Sequence, residues 1–137
     1  GEHGRELWRT DGTTGGTALV ADIVPGSLSS NPQQLTAVGT TLFFVAPHGS
    51  DQALWKTDGT SKGTVLVSNL NPTSYSGYGY GSYPDAITAV GSSVFFLADS
   101  GSGSMDLWLS DGTSTEMAAV SGDTSNGYLA NLTIVIA

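Results

Sequence analysis

The octapeptide ELWRTDGT at residues 6–13 returns as ALWKTDGT at 53–60 and as DLWLSDGT at 106–113. The tryptophans Trp8, Trp55 and Trp108 stand 47 and 53 residues apart. A period of that length is the mark of propellers, solenoids or arrays, in which one supersecondary unit cannot bury its own apolar face and is covered by the next. The similarity runs beyond the octapeptide. LTAVGTTLFFVA at 35–46 is matched by ITAVGSSVFFLA at 87–98, and GTALVADI at 16–23 by GTVLVSNL at 63–70.

Each unit reads as four strands. LTAV and LFFVA form strands A and B, rich in β-branched and aromatic residues and joined by a Gly39-Thr40 hairpin signal. ALWKT is strand C, DGTSKGT a turn, and VLVSNL strand D. Four antiparallel strands in roughly 50 residues, repeated, is the sequence form of a β-propeller blade, whereas a β-solenoid needs a much shorter period. The fold class expected is therefore all-β, with propeller-like blades of four antiparallel strands.

The segments ELWRTDGT, GTALVADIVPGSLSSNP and LTAVGTTLFF resemble the bacterial ELWxxDGT repeat family. The resemblance covers nearly all of residues 1–120. It implies a propeller-like fold and a secreted or surface-located bacterial protein, and it brings no catalytic residues to carry over. The third copy departs from the pattern, with Thr115-Glu116 in place of the Gly-Thr pair and Ala118-Ala119 in place of bulkier strand residues.

One domain-like segment, residues 1–137, is expected, divided into the outer strands of a first blade (1–30), a second blade (31–72), a third blade (84–122) and an inner pair (126–137). That is twelve strands, or about three blades, and propellers close with about 4–8. More chain or another copy is then needed: either further repeats of the same polypeptide, or a symmetric dimer in which the outer pair of one chain completes the blade begun by the other.

Composition narrows the partners. The formal charge is -8, and Arg5, Arg9, Lys56 and Lys62 are the whole basic complement, which opposes nucleic-acid binding and anionic membrane surfaces. No apolar run reaches the roughly 18 residues of a spanning helix, so membrane insertion is not expected. Cysteine is absent, which removes disulfides, thiolate metal sites and a Cys nucleophile.

Propeller geometry places the A-to-B and C-to-D turns on one edge of the sheets and the B-to-C and D-to-A connections on the other. The Asp-Gly-Thr turns then share one edge. There Asp11, Asp58 and Asp111 are expected to accept backbone N–H bonds, Gly12, Gly59 and Gly112 to take positive φ, and Trp8, Trp55 and Trp108 to cover the gap between blades. The opposite edge carries the irregular segments PHGSDQ (47–52), DSGSGSMD (99–106) and NPTSYSGYGYGSYPD (71–85). Tyr75, Tyr78, Tyr80 and Tyr83 in the last of these, with His48 and Asp51, are the candidate ligand contacts. Tyr offers a flat ring and a hydroxyl at small entropic cost, suited to sugars or protein surfaces; its plain structural use is to pack over a sheet edge.

His3 and His48 occupy equivalent connections, but the third copy offers only Ser102 or Ser104, so a two-histidine metal site lacks a converging ligand. Asp51, Asp85, Asp99 and Asp106 supply hard oxygens, which keeps calcium open, without EF-hand spacing. No cofactor is expected. Neither a carboxylate pair for glycoside hydrolysis nor a nucleophile elbow can be picked out. The reading is a noncatalytic extracellular or cell-surface repeat module for assembly or adhesion, whose partners are itself, a glycan or another surface protein. The alternatives are a lectin-like carbohydrate-binding propeller and a polysaccharide hydrolase or lyase.

Overall fold

Short β-branched and aromatic runs separated by Gly-containing turns fold here into hairpins laid side by side. A computed structural model describes residues 3–70, 83–101 and 105–118. Within them the protein is all-β, with ten strands in three antiparallel sheets and no helix. The first sheet pairs β1 (Leu7–Arg9) with β2 (Ala18–Ala21). The second is a meander of β3 (Gln33–Val38), β4 (Thr41–His48), β5 (Asp51–Thr57) and β6 (Val65–Ser68). The third repeats it with β7 (Asp85–Val90), β8 (Ser93–Asp99), β9 (Met105–Ser110) and β10 (Thr115–Met117). Each sheet is open at both edges among the described residues. The inner pair expected within 126–137 lies outside them.

The second sheet is packed on both faces, which explains why β4 shows four consecutive buried residues instead of the in-out alternation of a half-solvated strand. Neighbouring side chains point to opposite faces. Phe44 and Ala46 therefore join Leu7 and Val20 of the first sheet in one core, with Trp55 packed against it. Phe43 and Leu54 turn the other way and join Val94, Phe96 and Ala98 of the third sheet, with Trp108 packed against them. Burying each Phe contributes about 1.5–3 kcal/mol. The two interfaces use one set of parts: a Trp, a Phe and an Ala on the later sheet pack against a Leu and a Val on the earlier one.

Strands β3 and β7 also lie beside each other. Each begins with a bulge, between Gln33 and Thr36 and between Asp85 and Thr88. Within the bulges Gln34 and Ala86 take left-handed backbone, with φ of 53°, and Asn31 and Tyr83, two residues before each strand, have φ of 42°. Such a conformation costs an L-residue about 1–2 kcal/mol, so it must be held by its surroundings. Gln34 is held from the next sheet: its Oε1 accepts from Ile87 N at 3.2 Å, and its Nε2 donates to Asp85 Oδ1.

Two sequence expectations are corrected by strand register. PHGSDQ is not an irregular loop, because β4 runs through His48 and β5 begins at Asp51, leaving only Gly49-Ser50 as a hairpin turn. In the third copy, Met117 stands opposite Trp108 and Glu116 opposite Leu109, just as Leu66 stands opposite Trp55 and Val65 opposite Lys56. Thr115 therefore takes the place of Thr64. The third turn is two residues shorter, and Glu116 falls at a strand position and replaces no Gly.

Candidate functional site

The Asp-Gly-Thr turns are built from short polar side chains bonding to their own backbone. Asp11 Oδ1 accepts from Thr13 N at 2.9 Å and from Thr13 Oγ1 at 2.7 Å. Asp58 repeats this with Thr60 at 2.9 and 2.6 Å, and Asp111 with Thr113 at 2.7 and 2.7 Å. The glycines between them have φ of 90°, 90° and 88°, a region that side chains make costly. A second glycine is fixed by contact. A Cβ on Gly16 would lie 1.9 Å from Asp11 Oδ1, and one on Gly63 2.0 Å from Asp58 Oδ1.

A relay of hydroxyls closes the turn. Thr17 Oγ1 donates to Thr13 O at 2.9 Å. Its single proton is thereby committed, so in the 2.8 Å contact with Thr10 it is Thr10 that donates. Thr10 Oγ1 in turn accepts from Gly12 N at 3.0 Å. Thr57, Thr60, Thr64 and Gly59 repeat the same chain. The shortened third turn reverses it: Ser110 Oγ donates to Ser114 O at 2.8 Å and accepts from Thr115 Oγ1 at 3.1 Å.

These bonds set the charge of the carboxylates. The Thr13 hydroxyl and then its N–H hold Asp11 below the ordinary Asp value, and Thr60 does the same for Asp58. Asp111 is held lower still, first by the Ser114 N–H and then by the Thr113 hydroxyl. All three remain ionised at neutral pH, which suits them to accept hydrogen bonds and not to exchange protons as general acids.

The two edges separate as the connections require. Gly39-Thr40, Gly91-Ser92, Lys56 and Asp111 border a cleft of about 440 Å³ between the second and third sheets. A second cleft, of about 340 Å³, lies by the other connections and is bordered by Arg5, Asn31, Gln33, Pro47 and Gln52. Arg5 Nη1 donates to Asn31 Oδ1 there at 3.2 Å.

Of the candidate ligand contacts, Tyr83 is exposed and opens the segment that leads through Pro84 into β7. Tyr75, Tyr78 and Tyr80 lie outside the described residues. His48 is exposed, with its ring edge-on to Trp55 at 6.1 Å between centroids. Asp51 is buried at the start of β5, opposite His48 in register. His3 Nδ1 lies 3.1 Å from Asp22 Oδ2. Asp85 bonds Gln34, and Asp99 Oδ1 accepts from Gly101 N at 2.7 Å. Among the described residues no three His, Asp or Glu side chains gather in a metal-binding group, and no helix is long and apolar enough to cross a membrane.

The tryptophans divide two against one. Trp55 Nε1 donates to Ala46 O and Trp108 Nε1 to Ala98 O, each at 3.2 Å, with the rings against the preceding sheet. Trp8 has no strand B beside it among the described residues, and it is 53% exposed. Sequence reasoning missed Gln34, and it missed Glu6, whose carboxylate is buried. Glu6 accepts from Ile23 N at 3.0 Å, Ser30 N at 2.9 Å and Ser30 Oγ at 2.5 Å, and so pins the connection between the first two sheets. The recurrence of NPQQLTAVG as YPDAITAVG carried a signal for the bulge. Nothing in the repeat marked Glu6, because Ala53 and Asp106 occupy its position.

The chain matches no family model, no curated protein and no solved structure.

Proposed function

We propose that this chain is a noncatalytic repeat module of an extracellular or cell-surface bacterial protein. It serves assembly or adhesion and is built as a segment of a β-propeller. The observation that carries the reading is the use to which the repeated residues are put. Asp11, Asp58 and Asp111 spend their carboxylates on turn hydrogen bonds, and Trp55 and Trp108 spend their rings on the gaps between sheets. What repeats is a joint, and joints that repeat build length or a ring.

The surface location rests on the resemblance to the ELWxxDGT repeats, and a net charge of -8 keeps such a module soluble. Contact with a partner is assigned to the edge opposite the Asp-Gly-Thr turns, through Tyr75, Tyr78, Tyr80 and Tyr83 with His48 and the cleft beside Arg5 and Gln52. Replacing all four tyrosines by Ala tests this. Adhesion to bacterial surfaces or glycan-coated beads is expected to fall while the thermal melt is retained. Undiminished adhesion would overturn the assignment of the edge, and saturable binding of one free oligosaccharide would favour the lectin-like reading.

A further inference from the structure

The two buried interfaces provide a template for what the outermost sheet faces fit. On the face each sheet turns toward its predecessor stand Trp8 and Leu19 in the first sheet, Phe44, Trp55 and Leu66 in the second, and Phe96, Trp108 and Met117 in the third, as strand pairing aligns them. The opposite face carries Phe43 and Leu54 in the second sheet and Phe95 and Leu107 in the third. Covered by the next sheet, Phe43 and Leu54 are 1% and 0% exposed. Phe95 and Leu107, at the same positions one repeat later, are only half-buried. Trp8 is likewise more exposed than Trp55 and Trp108.

The third sheet's outer face is also more apolar than its counterpart. Leu109 stands opposite Phe95, where the second sheet has Lys56 opposite Phe43. Among the described residues, a face of Phe, Leu and Leu therefore lies at one end of the stack, and an unseated Trp at the other.

We propose that these are the two halves of one interface, in which Trp8 of one copy seats on Phe95 and Leu107 of a second copy. The inference rests on the assembly reading above and names its partner. The contact is heterologous, since different surfaces meet. Three sheets from each of two copies make six, within the range of about 4–8 at which propellers close, so the expected product is a closed dimer joined by two such contacts.

The test uses the full chain in sedimentation velocity and light scattering. Trp8→Ala removes the inserting side and Leu107→Asp the receiving side, so each variant alone is expected to be monomeric. Trp8→Ala should weaken association at least about thirtyfold, as loss of a central interface aromatic does. Mixing the two variants restores one intact contact, between Trp8 of the Leu107→Asp chain and the Phe95 face of the Trp8→Ala chain, and a 1:1 dimer should reappear. If Leu107→Asp does not fold by circular dichroism, Phe95→Ala with Leu107→Ala takes its place. A wild-type chain that stays monomeric at several hundred micromolar would overturn the proposal, as would a mixture that stays monomeric or a Trp8→Ala chain that associates like wild type. None of these results bears on adhesion through the tyrosine edge, so the two claims fail separately.

Discussion

The tryptophan joints predict an uneven response to one substitution made three times. Trp55 and Trp108 each fill a gap between sheets and donate a hydrogen bond at 3.2 Å to their own sheet. A fully enclosed Trp costs roughly 3–5 kcal/mol when cut to Ala. These two are half-buried, which scales the packing loss to about 2 kcal/mol, and the lost bond adds about 1 kcal/mol. Trp55→Ala and Trp108→Ala should each destabilise by about 3 kcal/mol, near 10 °C in Tm for a chain of this size. Trp8→Ala, at 53% exposure and with no such bond among the described residues, should cost below about 1 kcal/mol. Urea unfolding followed by circular dichroism reads this, at concentrations low enough for the midpoint no longer to depend on concentration. Equal losses at all three positions would refute the assignment of Trp8 to an uncovered face.

The acid limb of stability should belong to the turn carboxylates. Their folded pKa values lie below the ordinary 3.8, so the stability they contribute is complete well above pH 4 and is lost as pH falls through 3.8 toward the folded values. Asp58→Asn should flatten the fall of Tm between pH 5 and pH 2.5 (about the range of carboxylate titration); an unchanged slope would argue against those bonds. Gly63→Ala should destabilise by driving out the Asp58 carboxylate and should cost much less in an Asp58→Ala background, a coupling that a double-mutant melt measures. Gln34→Ala should loosen the bulge of β3 against β7, seen as faster hydrogen exchange at Ile87 N, whose partner it removes. Since each copy carries a charge of -8, dimerisation should strengthen between about 0.02 and 0.2 M salt as repulsion is screened.

Most of the fold was legible because it repeats. The recurrence of LTAVG, LFF, the Leu-Trp strand and GTALV as GTVLV placed strands A to D, whereas the burial of β4 on both faces came from the sheets packed on each side of it. Register was less legible. A turn can lose two residues and still present Asp, Gly and Thr, so the third copy read by simple alignment set Glu116 in a turn, whereas pairing with Leu109 sets it in a strand. PHGSDQ looked like a loop because Pro, Gly, Ser and Asp gather there, yet a two-residue turn at Gly49-Ser50 accommodates them. Long-range contacts left no local trace. Gln34 bridging to Asp85 spans 51 residues and Glu6 holding Ser30 spans 24, and neither residue is shared by the other copies. The roles of the turn aspartates followed from chemistry alone, since a short carboxylate before Gly-Thr has its own backbone within reach.

Among the described residues one joint, made three times, is closed twice and open at Trp8. Acrylamide quenching of three single-tryptophan variants, with the other two indoles changed to Phe, measures it directly. In dilute protein Trp8 should be quenched far more readily than Trp55 or Trp108, and Trp8 alone should become protected as concentration rises. Equal quenching at all three positions, or a Trp8 signal indifferent to concentration, would contradict it.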